Sequence, residues 1–438
     1  MNYRTIAEQI FLAGIDSVLP EKLITKMMAL KKNNLIIGHL NFSLKTIKSI
    51  YVIGAGKASA MMGAEIEKIL GNRITEGYIV VKYGHSCKLK YVNVKEAGHP
   101  VPDSNGFKAT RAIMEIACKA NKNDLVICLL SGGGSALLAD FPDGSSEEEQ
   151  IILNDLLVRC GADIKEINTV RKHLSGVKGG QLARSVYPAA LVNLMLSDVP
   201  GNSPEIIASG PTYPDSSTFN DAIRILKKYN LSDVIPAPFM NYLMKGVHGL
   251  IPETPKPGDP VFTGSYNFLI GTNKTAIEAA RDKANQLGLN TIIIDNDLHG
   301  EVAKAALFLV ETALHFKKDH SIAKPACLLF GGETTIAVSG QGQGGRNQHL
   351  ALSCAVLLQN HSGVTILAAG TDGSDGPTDA AGAVVDSDTS PSALLQNIDP
   401  AKYFNEFDSY HFFKKAGGHI ITGPTGTNVM DIVVVIVE

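Results

Sequence analysis

Runs of apolar, strand-like sequence alternate with helical patterns along most of this chain. That alternation constrains the fold more than any single motif does. The apolar runs are SIYVIGAG, EGYIVVKYG, DLVICLLSGGG, AALVNLMLSD, NTIIIDN, ACLLFGG and VTILAAGTDG, with helical stretches such as GFKATRAIMEIACKA and KTAIEAARDKANQLG between them. Strands that are apolar at almost every position and are separated by helices indicate parallel sheets covered on both faces. The fold class is therefore α/β. Several runs end in Gly, Ser or Asp just where the next element begins. Open α/β sheets bind ligands beyond the carboxyl ends of their strands, so those ends are where chemistry is expected.

A chain of 438 residues exceeds what one hydrophobic core usually serves, and an apolar fraction of 45% is ample for two. The segment IPETPKPGDPVFT, 251–263, places four prolines between Pro252 and Pro260 and is neither helix nor central strand. It reads as a linker dividing an N-terminal domain, 1–250, from a C-terminal one, 251–438. The other reading is a long surface loop within one domain. Forty basic against 43 acidic residues, a formal charge of −3, argue against a nucleic-acid or membrane-surface protein. Cys87, Cys118, Cys128, Cys160, Cys327 and Cys354 are scattered and form no CxxC, as expected of buried thiols in a reducing compartment. The opening MNYRTIAEQIFLAGIDSVLP reads as an amphipathic helix and not as a cleavable signal, and no apolar run reaches membrane-spanning length. A cytoplasmic globular protein is expected.

Chemistry concentrates in a few glycine-rich stretches. In VIGAGKASA, Gly54 and Gly56 precede Lys57, yet the motif completes neither familiar phosphate fingerprint: Ser59 stands where a dinucleotide motif has its third glycine, and Ala58 where a P-loop has Ser or Thr. In LLSGGGSALL, Ser131 and Ser135 flank Gly132, Gly133 and Gly134 between a strand and a helical pattern. That arrangement suits either an anion site or a tight turn. NTVRKHLSGVKGGQLA carries Arg171, Lys172, His173 and Lys178. On a helix the first three point in different directions, so they form a basic surface or, with the glycine loop, part of an electropositive pocket. LMLSDVPGNSPEIIASGPT brings Ser197 and Asp198 to a strand end, with Asp198 either a turn former or a general base.

In the second half, DLHGEVAKA sets Asp297, His299 and Glu301 near a helix start, where a metal is conceivable and capping is the simpler account of Asp297 and Glu301. GGETTIAVSGQGQGGRNQHLAL places Glu333 after a strand and Arg346 after a Gly344-Gly345 turn, where a guanidinium suits phosphate oxygens. GTDGSDGPTDAAGAV clusters Asp372, Asp375 and Asp379, as Mg²⁺ ligands or as ordinary Asp-Gly turns. Glycine loops, one lysine and one arginine in glycine turns, and strand-end aspartates match phosphoryl transfer, where positioning and charge neutralisation do most of the catalysis. HxE…CxxC, HExxH and GxSxG are all absent. A nicotinamide-dependent reductase would need the full dinucleotide fingerprint with an acid about 20 positions on. Glu76 lies near that distance, but the third glycine is missing.

Taken in order, GAGKASA, GHPVPDSNG, LLSGGGSALL, NTVRKHLSGVKGGQLA, LSDVPGNSPEIIASGPT, GGETT, GGRNQ, GTDGSDGPTDAAGAV and TGPTGTNVMDI resemble the glycerate 2-kinases of the MOFRL type. The resemblance runs from about residue 50 to 432. It implies ATP-dependent phosphorylation of D-glycerate at the 2-hydroxyl, with Mg²⁺, in a cleft between two α/β domains of which the first is Rossmann-like. Members are often labelled hydroxypyruvate reductases, which makes NAD(P)H-dependent reduction the alternative. The implied partners are glycerate and a nucleotide, without nucleic acid or membrane, and a homodimer stays open. On the family pattern Lys57 and Arg346 look like the catalytic basic pair, and Asp198 like the residue beside the reacting hydroxyl. The expected substrate and phosphate cradle is Gly54, Gly56, Ser131, Gly132, Gly133, Gly134, Ser135, Arg171, Lys178 and Glu333, with Asp372, Asp375 and Asp379 as metal ligands. Three departures stand out: Asn202-Ser203 where acids are common, Gln343 where lysine is expected, and His349 where glutamate is usual. Loss of a positive charge beside Arg346 bears on the donor site more than on the reaction.

Overall fold

The computed structural model describes residues 2–438. The chain forms two compact units, Pro20–Ile270 and a second one joining the residues up to Leu19 to Gly271–Glu438. The break therefore falls after Ile270 and not near residue 250, and the start of the chain belongs with its end. The proline-rich stretch is a strap on the first unit. The Asp215 N–H donates to the Pro255 carbonyl (2.9 Å), Arg184 donates to the Glu253 carbonyl (2.8 Å), and the Phe219 N–H donates to Glu253 Oε1 (2.9 Å). Proline keeps the segment out of α-helix and strand, leaving only a 3-10 turn at Pro260–Phe262, but leaves its carbonyls and side chains free to bond.

The first unit opens with a small antiparallel meander, β1 (Met28–Lys31), β2 (Asn34–Ile37) and β3 (Leu40–Ser43). Its main sheet contains β4 (Ile50–Ala55), β5 (Glu76–Lys82), β6 (Asn93–Ala97), β7 (Leu125–Leu130), β8 (Ala190–Leu196) and β9 (Ser265–Gly271), in the spatial order β6-β5-β4-β7-β8-β9. Counted from the first strand this is 3-2-1-4-5-6, the doubly wound Rossmann order, which reverses direction between β4 and β7. β4 and β7 are buried at every residue, as their unbroken apolar sequences demand. The pairing is parallel throughout β6–β8. A separate apolar core, containing Leu153, Leu157, Val170, Leu226, Phe239 and Leu243, holds four helices together beside the sheet.

The second unit has the order β10 (Asn290–Glu301), β11 (Ala326–Thr335), β15 (Asp431–Val437), β12 (Val364–Gly370), β13 (Gly382–Asp386), β14 (His419–Ile420). This sheet is mixed, not parallel. β15 inserts antiparallel between β11 and β12, and β13 returns antiparallel beside β12. DIVVVIV reads as an apolar strand, but its direction depends on the chain returning from the far side of the sheet. The amphipathic helix Tyr3–Ser17 packs against the helix Asn273–Gln286 and this sheet. Its Arg4 makes a bidentate pair with Asp386 at 2.6 Å on each nitrogen. No helix among the described residues is long and apolar enough to cross a membrane.

Candidate active site

Register brings three of the expected sites to one sheet edge. Ala55 of β4 pairs with Leu130 of β7, which pairs with Met195 of β8. Two or three residues past that row lie Lys57, Gly132 and Asp198; Lys57 and Gly132 follow the two strands that flank the switch point, where doubly wound sheets bind ligands, and Asp198 follows the next strand. Gly56 takes φ +136°, and a Cβ there would lie 2.2 Å from Ser131 Oγ. Only glycine lets the two turns meet. They are stitched by the Lys57 N–H to the Gly132 carbonyl (2.9 Å) and the Ala58 N–H to Ser131 Oγ (2.9 Å). Ser59 Oγ donates to the Leu129 carbonyl (3.0 Å) and lies 3.2 Å from Ser131 Oγ.

Two members of the expected cradle are thus structural. The Ser131 hydroxyl is fully buried and committed to the protein's own frame. Gly54 lies within β4, where an added Cβ would stand 2.5 Å from the Leu129 carbonyl, so it serves strand packing. Gly133 adopts φ +84° against the His99 ring, and Gly134 packs on Ala208. The helix that follows is a single turn, Gly134–Leu137. Any anion held here would meet local amides and no sizeable helix dipole.

The basic run diverges as helix geometry requires. Arg171 Nε donates to Asn154 Oδ1 (2.9 Å), and burial lowers the guanidinium's pKa. Lys172 Nζ pairs with Glu205 (3.0 Å) and buried Asp215 (3.3 Å), while His173 Nε2 faces Glu253 (3.1 Å). Lys178 donates to the Leu138 carbonyl and lies 3.4 Å from Asp140; burial pulls its pKa down against that carboxylate. Arg171, Lys178 and Ser135 nevertheless line one small polar cavity, so the glycine loop and two of the expected basic residues do meet.

In the second unit, Arg346 opens the helix Arg346–Leu358. Its Nε and Nη2 donate to the two oxygens of Asp431 (2.7 and 2.9 Å), and Nη1 lies 3.0 Å from Glu333 Oε1. Burial works against the charge, but Asp431 and then Glu333 hold its pKa above the usual arginine value. Asp431 starts β15 and pairs in register with both Gly332 and Gly370, so the acid sits at the middle of the sheet edge. Sequence reasoning missed Asp431. The signal was present as the one acid heading an otherwise wholly apolar run, DIVVVIV.

The three aspartates expected to bind metal take separate jobs. Asp375 is fully buried and caps the Arg346 helix, accepting from the N–H groups of Asn347 (3.1 Å) and Gln348 (2.8 Å). Burial pushes its pKa up to about 6 against those bonds. Gly345 makes room for it, since a Cβ there would lie 2.3 Å from the Asp375 carboxyl carbon. Asp372 accepts from Ser374 (3.0 Å), and Asp379 from the Tyr410 hydroxyl (2.9 Å). No cluster of three or more His, Cys, Asp or Glu able to hold a metal occurs among the described residues, so the donors do not fit a protein metal cage. In DLHGE, all within β10, Glu301 caps the next helix through the Ala303 N–H (3.1 Å), whereas Asp297 is a strand residue and no cap.

Comparison with known proteins then places the chain. Residues 6–244 match a family described only as a domain of unknown function (DUF4147), and residues 326–431 match the MOFRL family. The D-glycerate 2-kinase of Thermotoga maritima is 41% identical over 98% of this chain and 97% of its own length. This chain belongs to the glycerate 2-kinase family of the MOFRL type. The crystal structure of the glycerate kinase from Thermotoga maritima superposes with a TM-score of 0.85 at 39% identity, covering 100% of this chain and 99% of that one. A relative from Agrobacterium vitis, 40% identical over 87% of this chain and 85% of its own, carries the name hydroxypyruvate reductase.

The departures from the glycerate 2-kinase pattern have local explanations. Gln343 acts as an anchor: its N–H donates to Asp408 (2.9 Å) and its Nε2 to the Pro377 carbonyl (3.1 Å). His349 lies between Phe404 and Phe407, with ring centroids 4.8 and 4.9 Å away and planes within 14° and 4°. Burial lowers its pKa to about 4, so it is neutral and apolar in effect where a glutamate would be charged. Asn202 follows Gly201 in a left-handed turn with φ +55°.

Proposed function

We propose that this chain transfers the γ-phosphoryl group of ATP to the 2-hydroxyl of D-glycerate, giving 2-phosphoglycerate. The observation that carries the reading is the row Lys57–Gly132–Asp198 past the ends of three neighbouring parallel strands, two of which flank the sheet's switch point, in a chain of this family. Asp198 orients the acceptor hydroxyl and takes its proton as the oxygen attacks phosphorus. Lys57 and Arg346 neutralise charge on the phosphoryl oxygens, which is most of what this chemistry asks of a protein. The rigid fork from Asp431 and Glu333 leaves Arg346 one N–H on each Nη for that task. A divalent ion travelling with the nucleotide phosphates needs no protein cage.

Reduction of hydroxypyruvate has less behind it. Buried Ser59 occupies the position of the third fingerprint glycine, and its hydroxyl is bonded into β7. Incubation with D-glycerate and Mg-ATP, followed by product analysis, is expected to yield 2-phosphoglycerate and no 3-phosphoglycerate, with no NADH oxidation by hydroxypyruvate. Lys57→Ala should lower kcat by about 10²–10³-fold, the loss of one preorganised charge at the transition state. Near-normal turnover would sink the assignment.

A further inference from the structure

GHPVPDSNG follows β6, the edge strand of the parallel sheet, yet its histidine ends at the glycine loop after β7, with β5 and β4 lying between those strands. Local chemistry builds that crossing. Pro100 and Pro102 fix φ along the span and stiffen it. Asp103 fastens its far end, accepting from the Tyr83 hydroxyl (2.7 Å) and, as cap of the helix Ser104–Lys119, from the Gly106 N–H (3.0 Å). His99 arrives with its ring against Gly133: a Cβ there would lie 2.9 Å from both Cδ2 and Nε2. The ring edge that bears Nε2 is therefore the edge turned to the loop. His99 is half-buried, so this contact lies at the sheet edge and not inside the core. Lys57 meets the same turn one residue earlier, through its N–H on the Gly132 carbonyl (2.9 Å).

Glycerate brings a carboxylate one bond away from the carbon that bears the reacting hydroxyl, and an anion taken out of water needs a donor in its site. Lys57 and Arg346 face the phosphoryl oxygens, and Asp198 beside the hydroxyl repels a second carboxylate. The other polar groups of the glycine loop do not supply that donor. Ser131 is bonded into the protein's own frame. Arg171 and Lys178 meet the loop through the cavity beside Ser135, whose volume of about 10 Å³ holds a water and no carboxylate. His99 has an N–H donor to offer and stands at the loop itself. The strand it follows also lies on the opposite side of β7 from the strand that precedes Asp198, which keeps the two carboxylates apart.

We infer that the His99 imidazole donates a hydrogen bond to the carboxylate of D-glycerate, and so selects a hydroxy acid over an uncharged polyol. The inference rests on the glycerate-phosphorylating reading above and adds the residue that reads the acid. It also gives Gly133 a part in recognition, since any side chain there would push the ring off the loop.

His99→Phe keeps a ring over Gly133 and removes both nitrogens, so the packing stays while the donor is lost. The KM for D-glycerate should rise about tenfold or more, with the KM for ATP within about twofold. Turnover should stay within about threefold, because a bond made equally in ground and transition states moves KM alone. His99→Gln restores an N–H donor and should recover most of the loss, which a ring that serves packing alone would not allow. An unchanged glycerate KM in His99→Phe, or a fall in kcat at constant KM, overturns the proposal. Wild-type protein isotope-labelled at its histidines gives a reading that does not depend on the folding of the Phe variant. D-glycerate without nucleotide should move one imidazole resonance that glycerol leaves in place, and that resonance should be missing from His99→Gln. No glycerate-dependent resonance, or one that survives the substitution, overturns the proposal as well. If the resonance moves but no phosphoryl transfer is detected, the carboxylate contact stands and the kinase reading falls. If 2-phosphoglycerate forms and His99→Phe matches the wild type, the reverse holds.

Discussion

Asp431→Asn isolates what the carboxylate clamp does for Arg346. Asp431 accepts two of the three bonds that position the guanidinium, at 2.7 and 2.9 Å, and its side chain is 6% exposed. Asparagine keeps the volume but can accept only one of those bonds, and its amide N–H then faces an arginine N–H. One charge-assisted bond is lost and one donor pair is opposed, together about 2–3 kcal/mol. Glu333 still holds Nη1, so the side chain should pivot on that contact and not leave the site. A displacement on the order of 1 Å of a group acting in the transition state costs about 10²-fold in kcat. The removed negative charge leaves Arg346 freer for phosphate, so the KM for ATP should stay level or fall. The assay is steady-state ADP production with D-glycerate at a temperature well below the melting point, beside a thermal melt read by circular dichroism. A 2–3 kcal/mol loss in a unit of this size predicts a Tm lower by about 4–10 °C. A kcat within threefold of wild type, with the Tm lowered as expected, would refute the claim that the clamp positions Arg346 for catalysis.

Other consequences follow from the same geometry. Gly56→Ala should cost about 3 kcal/mol or more, because Cβ cannot occupy φ +136° with Ser131 Oγ at 2.2 Å; an unaltered Tm contradicts this. Asp375 has its pKa raised to about 6 in the fold from an ordinary value of 3.8. Its contribution is therefore fully present below about pH 4 and is lost as pH rises through about 6. Denaturant titrations of Asp375→Asn against wild type across that window should show a flatter pH dependence, and parallel curves would discount the effect. A fragment spanning Pro20–Ile270 should fold alone with a cooperative melt. Removing the residues up to Leu19 should destabilise the second unit by on the order of 5 kcal/mol, since Ile10, Phe11, Ala7 and Ile15 lose their buried contacts. Limited proteolysis reads both outcomes, and cleavage patterns indifferent to the helix would contradict the assignment of Tyr3–Ser17 to that unit.

Much of this architecture is legible before any coordinates. IYVIGA and LVICLL are apolar at every position, and only strands covered on both faces need that, so the parallel sheet and its helices follow from composition along the chain. The turn chemistry is equally local: VIGAGKASA and LLSGGGSALL carry glycines that release the backbone at strand ends, and the turns lie there. The divergence of Arg171, Lys172 and His173 follows from helical geometry alone.

What lay beyond the sequence depended on which distant segments meet. Four prolines signalled a break near residue 250, but proline reports only what the backbone cannot do locally. The carbonyls of 251–263 were free to bond the first unit, and they do. The turns at Asp372, Asp375 and Asp379 look alike in a glycine-rich stretch, and only their partners separate a helix cap at Asp375 from the local Ser374 bond of buried Asp372 and the Tyr410 bond of exposed Asp379. The pair of Asp431 with Arg346 and the contacts of Ser209 with Ser135 and Asn168 join residues far apart in the chain, and no period or spacing encodes them. Residue type determined which chemistry this chain carries. Closure of long loops against a buried sheet edge decided which of those groups stand beside one another, because a lone carboxylate or amide acquires its role from the partner that replaces its water.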